Sequence, residues 1–176
     1  MFEKYHRQYL TDGSCPSRSS PQTTLGNISS WVAQDTLAKG PTISHSITCS
    51  MGMYALVNGI AWLRSGMVAK FIVGGSEAAL TPFTIAQMQA LNIYAEDYDL
   101  EYPCRPLDSY KDKNTMVLGE GAAVACIEKG MSEHAVAVVE GIGYATETIH
   151  HDASISANAQ SLQEAMKMAL GRYKTK

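Results

Sequence analysis

The sequence carries no excess of basic charge. Its 14 Lys and Arg residues are outnumbered by 17 Asp and Glu residues, which gives a formal net charge of −3. Proteins that bind nucleic acids usually present a basic stripe, because lysine and arginine displace counterions from the phosphate backbone. No such cluster occurs along this chain, and we therefore expect no nucleic-acid partner.

Long apolar runs are also missing. The longest nearly apolar stretch, residues 53–63, contains Asn58 and Gly59, whereas a membrane-spanning helix needs about 20 apolar residues. The first ten residues mix charged and aromatic side chains and have no apolar centre like that of a secretory signal. Because 45% of the residues are apolar and only 18% are charged, the composition argues against a disordered chain. We expect one globular domain, residues 1–176, without a membrane segment.

Cysteine motifs are absent as well. The four cysteines, Cys15, Cys49, Cys104 and Cys126, are widely and irregularly spaced, and no two form a CxxC pair. This spacing favours reduced thiols in the cytoplasm over a disulfide framework or a zinc site. We expect no bound metal, and each cysteine is either a small packing residue or a chemical reagent.

The hydrophobic pattern indicates an α/β protein. β-branched residues predict a strand at 41–48, apolar residues at helical spacing predict a helix over 53–63 that ends at Gly66, and residues 69–75 predict a second strand. Strand, helix and strand with short links form a βαβ unit with parallel strands. The helix is apolar nearly all round and the strands lack charge, so we expect protein to cover the helix and both sheet faces. Further predicted elements are a short helical start within the polar segment 1–26, helices at 28–38, 83–91 and 159–170, and strands at 117–128 and 134–144.

Cys49 follows the first predicted strand and precedes the apolar helix. Ligands often bind at this edge of an α/β sheet, and the first turn of a helix stabilises a thiolate and offers N–H groups to an oxyanion. Two interpretations remain open from the residues alone. Cys49 is either a packing thiol, which is the commoner role of a single cysteine, or a nucleophile.

Four segments, in this order and spacing, resemble signatures of the β-ketoacyl-acyl-carrier-protein synthases, which are condensing enzymes of the thiolase fold. They are GPTISHSITCSMG (40–52), FIVGGSEAALTP (71–82), CRPLD (104–108) and VLGEGAAVACIE (117–128). The resemblance runs from about residue 27 to 170 and leaves the polar segment 1–26 and the basic tail 171–176 outside. It implies an incomplete thiolase-like layered α-β-α arrangement, with part of the first half of the fold and the start of the second.

The resemblance also implies a chemistry. It places the family's nucleophile at Cys49, which would accept an acyl group from acyl carrier protein as a thioester. Decarboxylation of a malonyl thioester would then supply the enolate for a Claisen condensation in fatty acid or polyketide synthesis. No cofactor is implied, since substrates arrive on the phosphopantetheine arms of the carrier. The implied partners are acyl carrier protein and either a second copy of the chain or a complementary ketosynthase subunit, in the cytoplasm.

The sequence departs from the family pattern in several places. The family holds its enolate with two histidines, in His-Gly-Thr-Ser-Thr and Gly-His segments, and neither segment occurs in the 176 residues. We therefore expect this chain to be inactive alone, and a non-catalytic partner subunit or scaffold is the alternative. Leu107 stands where the family usually has an aromatic residue. Asn114, Thr115 and Met116 stand where the family usually has Asp-Gly-Phe. Leu107 and Met116 are both candidates for the acyl pocket.

The histidines do not replace the missing pair. We expect His45, four residues before Cys49, to pack or to face a neighbouring chain rather than act as a base. His150 and His151 lie in a polar loop that offers too few ligands for a metal. An unrelated cysteine hydrolase or redox protein would need a nearby histidine or a second cysteine, and the sequence places neither convincingly.

Overall fold

The computed structural model describes residues 2–24, 26–95, 101–148 and 156–171. Six helices and two strands follow in the described ranges: α1 (Phe2–Asp12), α2 (Ser19–Thr23), α3 (Asn27–Asp35), α4 (Met51–Ser65), β1 (Lys70–Ala78), α5 (Pro82–Ala90), β2 (Glu120–Glu128) and α6 (Gln160–Gly171). A single 3₁₀ turn, Thr48–Ser50, leads directly into α4. No described helix has the length and apolarity to cross a membrane. The chain divides into two compact units, residues 1–128 and 129–176.

The first unit is built on α4 and the sheet. β1 and β2 pair antiparallel, from Lys70 opposite Glu128 to Ala78 opposite Glu120. Ile60 and Leu63 of α4 are buried together with Val73 of β1, and these three side chains form the centre of its apolar core.

Gly59 brings α4 close to both strands. A Cβ at this position would stand 2.6 Å from Phe71 Cδ1 and 3.0 Å from Ile127 Cδ1, which is too close for ordinary contact. The Phe71 ring also meets Trp62 edge to face, with the ring centroids 5.2 Å apart. The Phe71 ring can pack directly against the backbone of α4 because position 59 has no side chain.

Local sequence signals explain the helix ends. The Thr81 hydroxyl accepts a hydrogen bond from the Thr84 N–H at 3.2 Å, and Pro82 occupies the first turn of α5. Gly66 ends α4 at φ 77°, a left-handed conformation that glycine adopts without steric cost. These are standard start and stop signals, and the predicted helices 53–63 and 83–91 are confirmed within a few residues.

The second unit, described by itself, contains α6 and the segment before it. Gly141 and Gly143 lie against the backbone of α6 at Ala169 and Ala165, so close that a Cβ on either glycine would overlap it. A carboxylate oxygen of Glu147 accepts a hydrogen bond from the Ser161 N–H at 3.2 Å, in the first turn of α6. The predicted helix 159–170 is confirmed as α6.

Several predictions about the sheet are wrong. In the described chain, residues 41–47 form no strand, and β1 pairs antiparallel with the later strand β2 rather than in a parallel βαβ unit. Residues 134–144 form no strand either, because the described residues offer them no partner strand and part of the segment packs on α6 instead. A strand requires a ladder partner, which periodicity in one segment cannot guarantee.

The expected covering of the sheet and of α4 is also wrong for the described residues. β2 is exposed at eight of its nine positions, and the Val124 side chain is 67% exposed. Among the described elements, α4 packs chiefly on β1 and buries only Gly59, Ile60 and Leu63, while Met53 near its start is exposed. The described residues therefore leave part of the apolar surface of α4 and β2 exposed to solvent.

Candidate active site

Cys49 lies at the centre of the 3₁₀ turn that begins α4. The Ser50 N–H donates a hydrogen bond to the Ile47 carbonyl oxygen at 3.2 Å and closes this turn around the cysteine. The Cys49 side chain is exposed to solvent and forms no disulfide. The described residues therefore do not enclose Cys49, and its role as a nucleophile stays a prediction.

The residue before the cysteine has an uncommon backbone conformation. Thr48 has φ 42°, in the left-handed region, where a β-branched side chain is a genuine outlier. Such strain persists only where the surrounding structure fixes it, and it is concentrated at active sites and ligand clamps. No sequence signal indicated this feature, because threonine after the β-branched Ile47 favours an extended strand.

The start of α4 presents backbone donors beside Cys49. Ser50 is the N-cap residue, and it forms no capping hydrogen bond through its side chain to another described residue. The first N–H groups of a helix have no partner inside the helix, and they attract negative charge. Gly52 in this turn lies beside β1, since a Cβ added to Gly75 would be 3.8 Å from its Cα. The sheet therefore supports the turn from one side.

The structure holds Met116 by its backbone. The Ala95 N–H donates a hydrogen bond to the Met116 carbonyl oxygen at 2.8 Å, and the Asn114 side-chain amide donates to the Asn92 carbonyl oxygen at 2.5 Å. Thr115 between them is buried, and the Met116 side chain is half-buried. Backbone hydrogen bonding and the buried Thr115 therefore hold Met116 in place, and its role in an acyl pocket stays a prediction.

Leu107 lies in a turn that an ion pair closes. The Arg105 guanidinium forms an ion pair with the Asp108 carboxylate at 2.9 Å, and the same carboxylate accepts a hydrogen bond from the Tyr110 N–H. This turn presents the Leu107 side chain to solvent with 94% of its surface exposed. Its role in an acyl pocket stays a prediction.

An open cleft of about 720 Å³ lies beside α1. Six residues of α1, together with Ala78 and Thr81, form its lining. Cys49, Leu107 and Met116 are not among the lining residues. We assign no chemistry to this open groove, because its walls are side chains of α1, the last residue of β1 and the N-cap of α5.

His45 is the histidine nearest to Cys49 in the sequence. His45 is half-buried, and its Nε2 atom has no hydrogen-bond partner among the described residues. No three His, Cys, Asp or Glu residues in the described ranges are placed to hold a metal ion. The predictions for His150 and His151 fall outside the described residues.

Solved structures of thiolase-fold ketosynthases have a fold similar to that of this chain. A ketosynthase from Xenorhabdus doucetiae, solved in complex with its chain length factor, superimposes with a TM-score of 0.78 at 21% identity. The match covers 98% of this chain and 41% of the ketosynthase chain. The fold class is therefore the predicted one, a partial α/β thiolase-like arrangement.

Sequence comparison identifies the family. The family model described as "Beta-ketoacyl synthase, N-terminal domain" matches residues 3–165, which include most of the polar segment 1–26. Nodulation protein E of Rhizobium leguminosarum bv. trifolii is 30% identical over 77% of this chain and 32% of its own length. The 3-oxoacyl-[acyl-carrier-protein] synthase 2 of Staphylococcus aureus is 28% identical over 96% of this chain and 43% of its own length. The chain belongs to the β-ketoacyl synthase family, and it spans less than half the length of these two relatives.

Proposed function

We propose that Cys49 accepts an acyl group from acyl carrier protein, as the first stage of a β-ketoacyl synthase reaction. The observation that carries the proposal is the exposed thiol between Thr48, in its left-handed conformation, and the first turn of α4. Membership of the family supports the proposal, because residues 40–52 around Cys49 resemble the segment that carries the family's nucleophile.

The transfer requires groups that the turn can supply. The Cys49 thiolate attacks the carbonyl carbon of the acyl-phosphopantetheine thioester, and a new carbon–sulfur bond forms. The bond to the carrier's sulfur then breaks, and the released thiolate takes up a proton from water. Backbone N–H groups at the start of α4 stabilise the negative oxygen of the tetrahedral intermediate. The substrate brings its own pantetheine arm, so the proposal requires no cofactor held by this chain.

Condensation needs a further set of donors. In the family pattern, two histidines stabilise the enolate that forms when the malonyl group loses carbon dioxide, and their segments do not occur in the 176 residues. We therefore propose that this chain alone becomes acylated but forms no β-ketoacyl product, in either fatty acid or polyketide synthesis. A second copy or a complementary subunit is the proposed partner beside the carrier protein. A cytoplasmic location agrees with the four free cysteines.

Competitive alkylation of the four cysteines tests the proposal. All four side chains are exposed and free, so exposure alone predicts comparable rates with iodoacetamide. Activation at a helix start predicts that Cys49 reacts roughly tenfold faster than Cys104 and Cys126. The rates are read by mass spectrometry of peptides after short labelling times. Comparable rates at Cys49 and Cys104 would refute an activated nucleophile.

A non-catalytic partner subunit is the second candidate. The observation that favours it is β2, which is exposed at eight of nine positions although most of its residues are apolar or small. Exposed strands and apolar patches often mark surfaces that other chains cover. Under this alternative, purification from the native cell yields a stable complex, and replacing Cys49 by Ser leaves the activity of that complex unchanged. A loss of activity in the Cys49→Ser complex would exclude the purely structural role.

A further inference from the structure

Residues 41–46 lead to the Cys49 turn without belonging to a sheet. Within the described ranges, the hydrogen bonds of this segment are those of one side chain, Ser44. Its hydroxyl donates to the Gly26 carbonyl oxygen at 2.7 Å. Among the described residues, the hydrogen bonds that attach segment 41–46 to the rest of the first unit are therefore all made by Ser44, five residues before Cys49.

Ser29 completes this attachment. Its hydroxyl lies 2.8 Å from the Ser44 hydroxyl and 3.3 Å from the Gly26 carbonyl oxygen. Gly26 is the N-cap residue of α3, and an added Cβ there would be 3.8 Å from the Ser44 Cβ. Ser29, Ser44 and the Gly26 carbonyl thus form a hydrogen-bonded cluster, the serine clamp, between the start of α3 and the segment before Cys49.

The strained conformation at Thr48 gives the serine clamp its significance. A β-branched residue at φ 42° returns to extended backbone unless both sides of the turn are held. On the downstream side, α4 is packed against β1 through Ile60, Leu63 and Val73. On the upstream side, the hydrogen bonds of Ser44 hold the segment within the described chain.

We propose that Ser44 is a positioning residue for Cys49, and that it acts through the serine clamp to hold the turn in which the thiol meets the start of α4. The inference rests on the proposed function of Cys49 and adds a residue that touches neither the sulfur nor the acyl group. Ser44 is exposed, so its replacement by Ala removes hydrogen bonds without opening a cavity.

The test measures the iodoacetamide rate at Cys49 in the full chain, with Cys104 as the internal reference. One to two hydrogen bonds of ordinary strength correspond to roughly a two- to tenfold change in rate. We expect Ser44→Ala to lower the Cys49 rate by this factor, while Cys104 is unaffected. Ser44→Thr keeps the hydroxyl and restores the rate.

Ser46→Ala is the matched control. Ser46 is an exposed serine of the same segment, and it makes no hydrogen bond to another described residue. An unchanged Cys49 rate in Ser44→Ala, a loss shared by Ser46→Ala, or a loss that Ser44→Thr does not restore would each overturn the inference. The proposed function fails separately, when Cys49 of the unmodified chain reacts no faster than Cys104.

Discussion

Replacement of Gly59 by Ala tests how closely α4 packs on the sheet. The added methyl group would stand 2.6 Å from Phe71 Cδ1 and 3.0 Å from Ile127 Cδ1, where ordinary contact begins near 3.4 Å. The Phe71 ring cannot turn away freely, because it packs edge to face on Trp62. The substitution must therefore displace either α4 or the two strands.

Two opposing effects determine the size of the change. Alanine in the middle of a helix is favoured over glycine by about 0.5–1 kcal/mol. An extra methyl group in a well-packed site costs about 1–3 kcal/mol. We expect Gly59→Ala to lower the free energy of unfolding by a net amount of up to about 2.5 kcal/mol.

Gly52→Ala is the matched control in the same helix. A Cβ at Gly52 meets no atom within 4 Å, so only the helix preference remains and the free energy of unfolding rises by up to about 1 kcal/mol. The assay is urea unfolding, followed by far-ultraviolet circular dichroism and by tryptophan fluorescence. Equal stability of Gly59→Ala and Gly52→Ala would show that the close contact at position 59 carries no energetic penalty, contrary to this prediction.

Hydrogen bonds from the Ser156 side chain and from Ser161 hold the pKa of Glu147 below its usual value of 4.5. The stability that this carboxylate contributes is thus present above pH 4.5 and is lost as the pH falls through the lowered pKa. We therefore expect amide hydrogen exchange at the start of α6 to become faster in acid. In Glu147→Gln this pH dependence is expected to disappear. Leu107→Ser changes the free energy of unfolding, measured in urea, by less than about 0.5 kcal/mol, because the side chain is exposed. Thr48→Gly relieves the left-handed strain and leaves that free energy unchanged or up to about 1 kcal/mol higher; a clear decrease would contradict the assigned strain.

The helices could be predicted from sequence because their signals are local. The spacing of apolar residues located α4, and Pro82 and Gly66 marked a start and an end within one turn. Strand pairing depends on residues far apart in the chain. Residues 41–47 and 134–144 have strand-like composition, yet neither finds a ladder partner among the described residues.

The candidate site was predictable in part. The position of Cys49 before an apolar helix was visible in the sequence, and the family resemblance selected it among the four cysteines. The left-handed backbone at Thr48 was not visible, because nothing in a threonine side chain favours that conformation. The serine clamp also escaped prediction, since Ser29 and Ser44 are fifteen residues apart and serine pairs carry no spacing signal.

Acyl transfer to Cys49 is the most direct measurement. The chain is incubated with an acyl-loaded acyl carrier protein, and intact mass followed by peptide mapping locates the acyl group. We expect one acyl group on Cys49, the same result for Cys126→Ser, and no stable acylation of Cys49→Ser. An unmodified chain, or an acyl group carried equally well by Cys49→Ser, would contradict the assignment of Cys49 as the acyl acceptor.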